Sequence, residues 1–184
     1  GLNVNLKKTG KFLTPAQLKE MLDNEEDIVL VDMRNDYEFN IGRFRNAVAL
    51  PMKNFRELPQ AVKKIESLKD KRIVAYCTGG IRCEKATAYL NEIGFKDVSQ
   101  IKGGILKYGE EFPDTYWEGK CFVFDDRLAI QINRNNAESL TECAWCKRKC
   151  DDYFNCHNLD CDKLFTCCEE CGEIHDKSCS EECS

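Results

Sequence analysis

Two groups of residues in this 184-residue chain have types and spacings that could do chemistry. The first is Cys77-Thr78-Gly79-Gly80-Ile81-Arg82, which follows the apolar run RIVAYC (72–77) and leads into RCEKATAYLNEIG (82–94). A loop from a strand into a helix can turn its backbone N–H groups toward one point, and the helix start adds partial positive charge there. Both effects stabilise an anionic sulfur and lower the thiol pKa of Cys77. Gly79 and Gly80 permit the required backbone, and Arg82 could close the ring with a charge-assisted contact. The alternative is an inert buried cysteine before an ordinary turn.

The second group is the tail. Ten of the thirteen cysteines fall after residue 142, in CAWCKRKC (143–150), CHNLDC (156–161), CCEEC (167–171) and CSEEC (179–183). Four close pairs in line are the spacing of zinc sites, with eight ligands for two tetrahedral ions. Neighbouring pairs would give Cys143, Cys146, Cys156 and Cys161 as one set. Cys171, Cys179 and Cys183 with either Cys167 or Cys168 would be the other. A cross-braced arrangement would instead join alternate pairs. Cys150 is left over, and His157 or His175 could replace one thiolate. The tail's few large apolar residues are too small a core for about forty residues, so metal ligation would supply the missing stability. Four protein ligands leave no open position, which makes such zinc structural. Disulfides are the competing reading; reduced cysteines in a cytoplasmic protein are the expected state.

The elements that must position these residues read as α/β. LTPAQLKEMLDN (13–24) has a helix pattern with Thr14 as cap and Pro15 at its first position. IVLVDM (28–33), RIVAYC and VSQIKG (98–103) are buried strands, and NAVALP (46–51) is a short one. AVKKIESLK (61–69), residues 82–94 and ILKYGEEF (105–112) read as helices. The alternation predicts a parallel sheet flanked by helices, with ligands beyond the strands' carboxyl ends, where Cys77 lies. The boundaries expected are a lead-in over 1–12, an α/β domain over 13–120, an extended connector over 121–140 and a small irregular cysteine-rich module over 141–184.

Asp32 and Arg34 end the first strand on the side of Cys77. Asp32 is expected to cap a turn and Arg34 to pair with Glu38, or else one of them orients the loop. Cys83 could resolve an oxidised Cys77 or merely face the first helical turn. Lys85 and Arg82 could meet a phosphate, although solvation is the default for Lys85.

Residues 13–120 resemble rhodanese-like domains through DMRNDYEFNIGRFRNAVALP (32–51), the loop CTGGIR and IKGGILKYG (101–109). The resemblance implies a five-stranded parallel sheet and a loop cysteine that carries sulfane sulfur as a persulfide. The six-residue loop goes with sulfur transfer; related phosphatases have one residue more. CTGGIRCEKA, KGGILKY, WEGKCFVFDDR and the cysteine-rich tail together resemble the bacterial rhodanese-domain tRNA uridine hydroxylases. That likeness implies tRNA as partner, dioxygen as co-substrate and Cys77 as the essential cysteine. It also implies a further N-terminal domain, which the start at Gly1 rather than Met leads us to expect as missing. The competing functions are a sulfurtransferase using thiosulfate and a non-catalytic binding module.

Composition is consistent with this reading. The net charge of -5 does not mark a bulk nucleic-acid binder. From Glu142 onward there are 5 Lys+Arg against 11 Asp+Glu, so the acidity sits in the tail. No apolar run approaches the ~20 residues of a membrane span, and no secretory leader is visible. No dinucleotide fingerprint or two-His-one-carboxylate set occurs, so no organic cofactor is identifiable, and hydroxylation chemistry rests on the resemblance alone.

Overall fold

The computed structural model describes residues 3–125, 127–135 and 138–183. Its centre is a parallel sheet of five strands: β1 (Lys11–Leu13), β2 (Ile28–Asp32), β4 (Val48–Ala49), β5 (Arg72–Tyr76) and β6 (Asp97–Ile101). Their order is β1-β6-β5-β2-β4, so the strand that delivers Cys77 is central. β2 and β5 pair in register through Asp32 and Tyr76, which brings both carboxyl ends to one edge.

Alternation along the strands sends side chains to two cores. Val31, Met33, Ile73, Ala75 and Cys77 join Leu58, Val62, Ile65, Cys83, Ala86 and Leu90 on one face. Leu30, Val74, Tyr76 and Ile101 join Leu18, Phe44, Ile105, Tyr108 and Trp117 on the other. The helices on these faces are α1 (Pro15–Asp23), α3 (Leu58–Ala61), α4 (Ile81–Glu92) and α5 (Gly104–Glu111). At the start of α1, Thr14 and Gln17 form a reciprocal capping box with Pro at the first position.

Three local expectations are corrected, and two further elements appear. Residues 11–13, placed largely in the lead-in, form the sheet's edge strand and pair with Ser99–Ile101; the apolar pattern there is too short to announce itself. The helix expected over 61–69 is a 3-10 helix, Val62–Leu68. Its apolar residues Val62, Ile65 and Leu68 recur every three positions, which is the 3-10 period rather than the α period. Residues 36–44 add α2 (Asp36–Ile41) and β3 (Gly42–Phe44). The extended segment expected over 121–130 is instead parts of two antiparallel strands, β7 (Trp117–Phe122) and β8 (Ala129–Gln131), in a small sheet ordered β3-β7-β8.

The cysteine-rich tail is largely irregular but carries an antiparallel pair, β9 (Tyr153–Asn155) with β10 (Leu164–Thr166), and a one-turn α6 (Glu169–Ile174). Tyr153 and Leu164 of the tail pack with Ile41 and Phe122, and Lys120 pairs with Asp151 at 3.0 Å. The tail therefore docks on α2 and β7. No described helix is long and apolar enough to cross a membrane.

Candidate active-site loop and cysteine clusters

Cys77 ends the central strand and is almost fully buried. Its sulfur accepts the N–H of Gly80 at 3.2 Å. Cys83 packs in the same buried cluster as Cys77, and its backbone N–H donates to the Gly80 carbonyl at 3.1 Å. The Cys83 thiol contributes most, burial opposes, and the Cys83 N–H, the charge of Arg82 and the Gly80 N–H add to the stabilisation, so the Cys77 pKa is lowered to about 6. Cys83 is the counterpart: burial and the neighbouring Cys77 sulfur push its thiol well above the ordinary range. One cysteine is thus held as the anion and the other as the donor.

The loop is latched from behind. The N–H groups of Ile105 and Leu106 donate to the carbonyls of Cys77 and Thr78 at 3.0 and 3.1 Å. This requires close approach of α5: a Cβ on Gly104, whose φ is +63°, would lie 2.3 Å from the Cys77 carbonyl oxygen. Gly80 sits at φ +97°, which lets the chain turn from the loop into α4. Thr78 is half-buried, Gly79 is exposed, and Ile81 is exposed at the first position of α4.

Arg82 does not reach into the ring with a free guanidinium. Its two terminal nitrogens donate to the two carboxylate oxygens of Glu38 at 2.6 and 2.8 Å, and one donates to Thr78 Oγ1 at 3.3 Å. This overturns the expected Arg34–Glu38 pair. Arg34 is instead folded back on Asp32, two residues behind it, with Nε and Nη2 donating to both carboxylate oxygens at 2.6–3.1 Å. Asp32 Oδ1 also accepts the Arg34 N–H at 2.9 Å, which closes the turn. Both residues are buried, and Arg34 Nη2 further donates to the Gly42 carbonyl at 2.6 Å. These bonds pin β3 and α2 beside the loop. Lys85 is exposed.

Glu38 enters this region with a partner other than the one expected from sequence, and Phe124 is a residue that sequence reasoning did not single out. Glu38 is recognisable only once α2 is placed opposite α4. Phe124 is exposed, with its ring centroid 5.6 Å from the Arg82 guanidinium. An exposed aromatic after a strand is a weak sequence signal, because only the fold brings it to the loop.

In the tail, the alternate pairs come together. Cys143, Cys146, Cys168 and Cys171 form one group that could hold a metal ion, and Cys156, Cys161, Cys179 and Cys183 form another. Of the two neighbours, Cys168 rather than Cys167 enters the first group, although Cys167 lies 3.9 Å from Cys143. Cys150, His157 and His175 stand outside both groups. The Sγ separations fit tetrahedral coordination. Four sulfurs about 2.3 Å from one ion lie about 3.8 Å apart, and Cys146–Cys168, Cys161–Cys179 and Cys179–Cys183 are 3.7, 3.7 and 3.8 Å apart. Arg148 Nε donates to Cys146 Sγ at 3.4 Å, as an outer partner of a thiolate ligand does. His175 stacks on Trp145 with ring centroids 3.5 Å apart, which uses it as packing.

Residues 14–111 match the rhodanese-like domain family, and residues 118–184 match the rhodanase C-terminal family. The chain belongs to the rhodanese-like family. It is 47% identical over 177 residues to a protein of Cytophaga hutchinsonii named tRNA uridine(34) hydroxylase, covering 96% of this chain and 56% of that protein. It is 42% identical over 189 residues to the Chlamydia felis protein of the same name, covering 100% and 58%. The chain thus spans somewhat over half the length of these curated relatives. Among solved structures, the rhodanese-like domain of an Anabaena protein shares the fold at 23% identity and TM-score 0.51, covering 71% of this chain and 93% of that one. Thiosulfate sulfurtransferase of Pseudomonas aeruginosa does so at 19% identity and TM-score 0.50, covering 60% and 20%.

Proposed function

We propose that this chain is the rhodanese-like and cysteine-rich part of an enzyme that hydroxylates uridine 34 of tRNA at C5. The observation that carries this reading is similarity that runs through both parts: 47% identity across 96% of the chain to a relative of that name. The sequence motifs and the loop geometry support Cys77 as the reactive residue. A thiolate stable near neutral pH is the form that acts as a nucleophile or carries sulfane sulfur. The Gly80 N–H at 3.2 Å and the neighbouring Cys83 thiol favour the anion against the cost of its burial. Asp32, Arg34 and Gly104 are positioning residues for this loop. Phe124 offers an exposed ring beside it, suited to stacking on an unpaired base. A tRNA substrate places the reaction in the cytoplasm.

Zinc is the ion we assign to the tail. The two four-cysteine groups have the donor set and spacing it prefers, and four thiolates per ion leave no open coordination position. The tail metal would therefore brace β9, β10 and α6 against α2 and β7. Dioxygen supplies the new oxygen atom in this reading.

The test is nucleoside mass spectrometry of tRNA from cells lacking the complete gene and complemented with wild type or Cys77→Ser. Restoration of 5-hydroxyuridine by wild type alone supports the assignment; restoration by Cys77→Ser at normal protein level refutes it. Thiosulfate sulfur transfer would draw on the same thiolate and would show as thiosulfate-dependent turnover with a persulfide mass gain on Cys77.

A further inference from the structure

Arg82 and Glu38 come from α4 and α2, 44 positions apart, and meet beside the Cys77 loop. Glu38 is completely buried, and the Arg82 side chain is only 19% exposed. Glu38 also accepts the N–H of Asn35 at 3.1 Å, so its carboxylate is fixed from two sides. Arg34, the other guanidinium of this region, is taken up in the same way by Asp32. Each of these two arginines has its own carboxylate. With Cys77 ionised, the trio of Cys77, Arg82 and Glu38 carries net negative charge.

We propose that Glu38 is a charge filter: by holding Arg82, it makes the mouth of the loop select an uncharged ligand, of the class of a pyrimidine base, over a small anion such as thiosulfate, sulfate or phosphate. An anion could reach the loop's N–H groups only against that net charge. Alternatively it could displace Glu38 from Arg82, which would strand a buried carboxylate without its partner. A neutral ring meets neither cost, and Phe124 gives it an apolar surface near Arg82. The inference rests on Cys77 being the reactive centre of the proposed function and narrows what that centre accepts.

Iodoacetamide and iodoacetate are nearly equal in size and differ by one charge. The ratio of their rates at Cys77 cancels both the thiolate fraction and the opening of the loop, and leaves the local field. Trypsin cleavage after Arg72 and Arg82 releases residues 73–82, in which Cys77 is the sole cysteine, so mass spectrometry reads this site alone. In the wild-type complete protein, the iodoacetate-to-iodoacetamide ratio is expected at or below that of 2-mercaptoethanol. In Glu38→Gln, which keeps an acceptor for Arg82 but removes the charge, the ratio should rise about tenfold, as expected for one charge within several ångströms in a partly buried site. Glu38→Asp should keep the low ratio. A wild-type ratio well above that of the free thiol, or no rise in a folded Glu38→Gln protein, overturns the inference. If Glu38→Gln does not fold, wild type decides alone: millimolar sulfate should fail to protect Cys77 from iodoacetamide, and protection overturns it. None of these readouts uses the hydroxylation reaction, so the charge filter and the functional assignment can fail separately.

Discussion

The N–H of Ile105 donates to the carbonyl of Cys77 at 3.0 Å, which ties the segment 101–109 to the loop it supports. Two motifs separated by about twenty-five residues are therefore one mechanical unit. Gly104 makes the approach possible, since any side chain there would meet the Cys77 and Thr78 carbonyls. Gly104→Ala should cost about 1–3 kcal/mol through strain at positive φ and should slow alkylation of Cys77 or broaden its pH profile. Thermal melting together with that profile checks this. An unchanged profile and melting temperature would mean the latch is dispensable.

The Cys77 thiol sits at about 6, well under its ordinary value. Iodoacetamide reactivity should therefore be half-maximal near pH 6 and level above it. Because the folded pKa lies below the unfolded one, ionised Cys77 favours the folded state above the unfolded pKa. That contribution is lost as pH falls through about 6. Cys83→Ala removes the thiol that does most to lower the Cys77 pKa and should move the midpoint up toward the free-thiol range of about 8.5. Cys83→Ser keeps a donor and should move it less. Equal midpoints in all three proteins would show that Cys83 does not hold the anion.

Arg34 and Asp32 form a buried pair with no solvent to take over either charge. Arg34→Met should cost about 3–5 kcal/mol, because it leaves Asp32 buried and unpaired. Adding Asp32→Asn should recover part of the loss. Urea unfolding of the four proteins in a double-mutant cycle measures the coupling, and additive effects would contradict the pairing.

The tail should bind two metal ions per chain, one in each four-cysteine group. Elemental analysis should find two zinc ions in the reduced protein and about one in Cys168→Ser. Cys167→Ser and Cys150→Ser should retain both. Loss of an ion in Cys167→Ser with retention in Cys168→Ser would exchange the two neighbours. Chelation should loosen the tail while leaving the α/β core folded.

The central loop was legible because its signal is local: an apolar β-branched strand, a cysteine, two glycines and a helix. β2, β4 and β6 were legible for the same reason, since buried strands read as apolar runs, whereas the three-residue edge strand β1 was too short to show. Glu38 was not, because its partner depends on where α2 crosses α4, and the nearer Arg34 looked the more natural choice. Val62, Ile65 and Leu68 identified a buried face but not the helix type. In the tail, spacing marked four pairs without distinguishing neighbouring from alternate pairing. That choice is made by β9, β10 and α6, which bring Cys168 and Cys171 to Cys143 and Cys146. Cys167 and Cys168 are adjacent, so only the direction of each side chain separates ligand from neighbour.

The most direct test of the account is the 5-hydroxyuridine content of tRNA in cells whose complete gene is deleted and restored with wild type or Cys77→Ser. Wild type should restore the nucleoside, and Cys77→Ser at the same protein level should not. Full restoration by Cys77→Ser, or no loss of the nucleoside on deletion, would contradict it.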